Sequence, residues 1–106
     1  MAWTLLFLAG ICEIGWAVGL KYTNGFSRLW PSVCTLVLMV ISVVLLALAL
    51  KEIPVGTGYA VWTGIGAIGT AILGMILFGE SRDALRIGCI LLIVAGVIGL
   101  KIVTPD

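Results

Sequence analysis

Histidine is missing altogether, which removes the commonest metal ligand and the base of the usual nucleophilic triads. Charge is scarce as well. Asp, Glu, Lys and Arg make up 10% of the 106 residues, where a soluble domain carries roughly a quarter. A chain that is 62% hydrophobic, with a mean hydropathy of +1.30, has too little polar surface for a water-facing exterior. Cysteine is limited to Cys12, Cys34 and Cys89, without CxxC spacing. All three fall in apolar stretches and read as small packing residues, not as disulfides or metal ligands. No cofactor, no metal and no nucleic-acid partner is expected. Nor is an enzyme, because the apolar stretches offer no nucleophile–base pair.

What the chain has is uncharged length. No charge interrupts residues 29–50 or 53–79, and only Glu13 interrupts residues 1–20. The run between Arg86 and Lys101 is shorter, but it suffices if both cations reach toward the headgroups. A bilayer core about 30 Å thick needs about 20 residues of helix. The fold class is therefore all-α and integral to the membrane, a single domain over 1–106 with spans at about 3–20, 29–50, 53–79 and 84–103. The first span is not read as a signal peptide, since it lacks a basic leader and a small-x-small cleavage pattern. The connections at 21–28, 51–52 and 80–86 are too short for a soluble domain, so function must reside between helices.

Loop charges leave orientation open. Lys21, Arg28, Arg82 and Arg86 lie on one side, against Lys51 and Lys101 on the other. Lys and Arg favour the cytoplasmic face, but this bias is weak. It is compatible with one orientation, first loop cytoplasmic, and with insertion both ways as an inverted pair.

Glu13 most needs an explanation. Counting from Trp3 at about 1.5 Å per residue puts it roughly 15 Å down the helix, in mid-bilayer. An acid there costs roughly 2.5–3.5 kcal/mol on insertion scales, and acids in spans usually mark ion or substrate paths. Desolvation opposes ionisation, so such a carboxyl can carry a proton and exchange it for a cation. That is the minimal chemistry of an antiporter.

Other groups lie at workable depth. Gly10 and Trp16 flank Glu13 at helical spacing. Ser42 is near the middle of the second span, and Tyr59, Trp62 and Thr63 are in the third. Trp3, Tyr22 and Trp30 fit interfacial belts, whereas Trp16, Tyr59 and Trp62 sit deeper. Aromatic faces beside a carboxylate make a cation site. Gly64 and Gly66 at mid-span are the candidate hinge. The fourth span, with Gly88, Cys89, Gly96 and Gly99 among Ile, Leu and Val, reads as a packing surface. Four helices are few for enclosing a solute path, which favours a homodimer joined there.

Several stretches together carry a resemblance over the whole chain. They are Trp16-Ala17-Val18-Gly19-Leu20-Lys21-Tyr22 after Glu13, running on to Gly25-Phe26-Ser27-Arg28; Ile53-Pro54-Val55-Gly56-Thr57-Gly58-Tyr59-Ala60-Val61-Trp62-Thr63-Gly64-Ile65-Gly66; Gly79-Glu80-Ser81; and Ala95-Gly96-Val97-Ile98-Gly99-Leu100-Lys101. In their order and spacing they resemble the small multidrug resistance family of bacterial exporters. The resemblance implies a multi-pass protein of the bacterial inner membrane, working as an antiparallel, dual-topology homodimer. It implies that Glu13 of both copies binds either protons or a cationic substrate. Gly10, Trp16, Ser42, Tyr59, Trp62 and Thr63 would line the pocket, Gly64 and Gly66 would bend, and Cys89, Gly96 and Gly99 would pack the dimer. Trp16 and Lys101 are similar to the subtype that exports guanidinium, a planar cation offering paired N–H donors to a carboxylate. Broader export of quaternary ammonium cations and a non-transporting assembly subunit are the alternatives. The sequence departs from the pattern at Gly58, where Ala is expected and where extra space beside Tyr59 would follow, and at Cys89, where some members have Gly.

Overall fold

The computed structural model describes residues 1–104 and consists of four helices, α1 (Ala2–Tyr22), α2 (Leu29–Ala49), α3 (Val55–Leu77) and α4 (Ala84–Val103). The fold is all-α, and no strand occurs among the described residues. Every helix is long and apolar enough to cross a bilayer. Local chemistry sets the helix ends. Ile53 precedes Pro54, and a residue before proline is disfavoured in the helical region, so α3 starts at Val55 with Pro54 as its N-cap. At its other end Gly79 adopts φ +66° and turns the chain. Between α1 and α2, Asn24, Gly25 and Phe26 are left-handed in succession. Buried Thr23 holds that turn, donating to the Leu20 carbonyl at 2.7 Å and accepting from the Phe26 amide at 3.1 Å. Asp83 caps α4 by accepting from the Arg86 amide at 2.8 Å.

α1 is the organising helix, packed against both α2 and α3, while α4 packs mainly on α3 and reaches α1 through Lys101, whose ammonium lies 4.8 Å from the Trp3 ring centre. The packing is uneven along α1. Its first half meets the end of α2 and the start of α3 in a core of Ala2, Leu6, Ala9, Leu46, Ala49, Ile53 and Val61. Beyond Glu13 no such cluster exists among the described residues. Contact there is made through glycines: a Cβ on Gly15 would meet Leu38 at 3.1 Å, and those on Gly19 and Gly69 would overlap Thr35 and Ile14. α4 has no buried residue. The Cα trace measures 43 × 34 × 17 Å. With Cα atoms about 2.3 Å from each helix axis and neighbouring axes about 8–10 Å apart, the shortest extent corresponds to about two helix layers.

Candidate functional site

Glu13 stands near the midpoint of α1, and Gly66 stands at the midpoint of α3. The two meet. A Cβ on Gly66 would overlap Glu13 Oε1, Cδ and Cγ, so the missing side chain is what admits the carboxyl between the helices. Oε1 is buried and has no hydrogen-bond partner among the described residues. An isolated buried carboxyl oxygen is costly unless a proton or a cation satisfies it.

One helical turn away lies a relay across three helices. Ser42, fully buried on α2, donates to the Ala9 carbonyl of α1 at 2.7 Å. It accepts from the indole Nε1 of Trp62 on α3 at 3.0 Å. Ala9 precedes Glu13 by four residues and Trp62 precedes Gly66 by four, so the relay and the acid occupy adjacent layers of the same α1–α3 seam. Tyr59 stacks obliquely on Trp62, ring centres 5.6 Å apart, and remains 57% exposed.

The structure thus joins Glu13 to Gly66 and, one turn away, Ser42 to Trp62 and Trp62 to Tyr59, with differences from the expectations above. Ser42 hydrogen-bonds to Ala9 and Trp62. Trp16 Nε1 is buried without a partner among the described residues. The space left by Gly10 is filled by Ile65, whose Cγ2 would lie 2.6 Å from an added Cβ. Thr63 is exposed. Gly64 faces α4, where a Cβ would meet Val97 at 2.5 Å; Gly64 and Gly66 therefore serve opposite faces of α3. Beside Gly58 the room is taken by the Leu50 methyl end, not left open next to Tyr59. Cys89 is exposed, and a Cβ on Gly88, Gly96 or Gly99 would meet nothing within 4 Å.

Sequence reasoning missed Thr70. Its hydroxyl is buried and unpartnered among the described residues, one turn beyond Gly66. It lines a cavity of about 330 Å³ with Ala17, Lys21, Glu80 and Arg86. The signal was a polar residue four positions after the glycine facing the acid.

Comparisons with known proteins place the chain in a family. The family described as "Small Multidrug Resistance protein" matches residues 1–93. The chain belongs to the small multidrug resistance family. It is similar to the protein named "Guanidinium exporter" of Escherichia coli K12, at 59% identity over 98% of this chain and 99% of that one. The "Guanidinium exporter" of Yersinia pseudotuberculosis is 62% identical over 96% of this chain and 98% of its own length. That of Salmonella typhimurium LT2 is 59% identical over 96% and 97%. Membership and four bilayer-length helices make this small multidrug resistance protein a multi-pass inner-membrane protein.

Proposed function

We propose that this small multidrug resistance protein exports guanidinium-type cations in exchange for protons, with the two competing for Glu13. The observation that carries the reading is the Glu13 carboxyl itself, held at mid-helix against Gly66 with one buried oxygen unpartnered among the described residues. Such a group binds a proton or a cation better than it tolerates neither. Guanidinium suits it because a planar donor pair matches a carboxylate, and the relatives' names point to the same cation. The Trp62 and Tyr59 rings supply aromatic faces that attract cations where water is excluded. Trp16 lies three residues from Glu13 and adds an indole donor to the same pocket.

The working unit in this reading is an antiparallel homodimer. Its support is the small number of helices, flattened into about two layers, and the open Gly96 and Gly99 surface of α4. A groove of about 550 Å³ runs there, lined by Ala60, Gly64, Ile93, Val97, Leu100 and Val103 among others, and Cys89 sits on the same exposed helix. Gly64 and Gly66, with no side chains to lock α3 in one curvature, are the place where the two copies would bend differently.

Flux of guanidinium into proteoliposomes under a proton gradient tests the reading. Wild-type protein should transport guanidinium and prefer it to a tetraalkylammonium ion, and Glu13→Gln should abolish coupled transport. Full activity in Glu13→Gln, or conduction without a proton requirement, contradicts the exchange.

A further inference from the structure

The loosely packed half of the molecule contains a second carboxylate in a setting that mirrors the substrate. The 330 Å³ cavity lies between α1, α3 and the start of α4, and is lined by Ala17, Lys21, Thr70, Gly74, Glu80 and Arg86 among others. Ala17 is one turn beyond Glu13 and Thr70 one turn beyond Gly66, so the cavity continues the Glu13 seam toward the face with the first and third loops. Glu80 is the acid among its lining residues. The carboxylate is folded back against Gly74, where a Cβ would overlap Oε1, and the Glu80 amide bonds the Gly74 carbonyl at 3.3 Å. Its present occupant is the Arg86 side chain, whose Nη2 donates to Oε1 at 2.9 Å. That occupant is itself a guanidinium.

We propose that Glu80 is a second cation station on the way to Glu13, closed at rest by Arg86 and opened when a free guanidinium ion takes the place of the arginine headgroup. This rests on the proposed export of guanidinium-type cations. The exchange replaces one planar donor set by another on the same oxygen. It costs little, because the Arg86 and Glu80 side chains are 39% and 41% exposed and such pairs are weakly held. Thr70 Oγ1 and Arg86 Nε, both buried and unpartnered among the described residues, mark polar capacity in the same place. The other charges favour selectivity. Lys21 holds its ammonium 5.2 Å from the Phe78 ring centre. With Arg86 it outweighs Glu80, so the closed cavity repels cations in general. Only a cation that matches the carboxylate in hydrogen-bond geometry displaces the arginine readily, whereas a compact hydrated ion or a tetraalkylammonium offers no paired donors. Arg82 and Asp83 are engaged elsewhere, on the Met75 carbonyl and the cap of α4.

The test is the KM for guanidinium in proteoliposomes. Glu80→Gln should raise it several-fold, because the station is lost. Arg86→Gln should lower it and narrow the preference for guanidinium over ethylammonium, because the competitor is lost. Gly74→Ala, which displaces the carboxylate without changing charge, should act like Glu80→Gln. A purely structural ion pair would make the Glu80 and Arg86 variants move together. Shifts of the same sign, or no shift in either, overturn the proposal. Absence of guanidinium transport by the wild-type protein, or its survival in Glu13→Gln, instead overturns the reading on which the station rests.

Discussion

At the scale of single residues, the site depends on what is absent at position 66. Gly66→Ala places a methyl group where the Glu13 carboxyl lies, so the acid must leave its seat or the helices must part. Coupled guanidinium flux should fall sharply in that variant while the dimer still assembles, and an unchanged rate would remove Gly66 from the site. Ser42→Ala is a different kind of loss. It leaves the part-buried Trp62 N–H without its acceptor and removes the hydroxyl that joins α2 to the Ala9 carbonyl, at a cost of about 0.6–2 kcal/mol for an interhelical bond in a membrane. Reversible unfolding in mixed micelles should register that loss, and transport should weaken as Trp62 loosens. The acid was legible in the sequence because a mid-span carboxylate has few innocent explanations. Its seat was not. A glycine at mid-span suggests flexibility or close approach equally, and only the structure pairs Gly66 with Glu13 and Gly64 with Val97. Ser42 was found by depth but its partners were not, since a hydroxyl chooses among carbonyls and indoles by geometry that spacing does not encode.

At the scale of elements, the spans were legible because charge marks their limits so sparsely. The finer ends followed rules that the charge pattern ignores. Pro54 keeps Ile53 out of the helix, and the positive φ of Gly79 ends the turn after α3. The third connection is more ordered than its composition suggested. Ser81 donates to Asp83 at 3.2 Å, and Asp83 caps α4 through the Arg86 amide. That backbone bond, helped by Ser81, holds the Asp83 carboxyl below its usual range. A lowered folded-state value means that the cap stabilises the helix start above the ordinary carboxylate range, and that this is lost as pH falls through the lowered value. The protection factors of the Arg86 and Ile87 amides, taken relative to intrinsic exchange at each pH, should therefore fall in acid and in Asp83→Ala, but hardly in Asp83→Asn, which caps as well. Equal protection in all three would show that α4 does not need its cap. The orientation of Arg86 toward Glu80 follows from the same turn, because capping by Asp83 brings the first turn of α4 back over the end of α3.

For the whole molecule, the uneven packing is the informative feature. Leu6, Ala9, Leu46, Ala49 and Val61 weld one half of the α1–α3 seam, and the other half is left with glycines, a cavity and charged groups. Both ends hold space, but the cavity of about 310 Å³ beside Trp3, Leu6 and Val61 is lined mainly by apolar side chains, whereas the one beside Lys21 and Glu80 is charged and suits the passage of a cation. α4, without a buried residue, contributes little to the single chain. Because a Cβ on Gly96 or Gly99 meets nothing within 4 Å, replacing either with Ala should leave the four helices intact and weaken only the proposed dimer. Equilibrium dimerisation in bilayers measures this, and undiminished association would move the interface elsewhere. The sequence showed this surface as a run of small residues among aliphatics, but without geometry it did not distinguish a face packed within the chain from one left open. The central claim is that one carboxyl serves proton and cation in turn. Adding guanidinium to the purified protein in weak buffer should release protons from the wild type and none from Glu13→Gln. Guanidinium binding without proton release, or release that persists in Glu13→Gln, would contradict it.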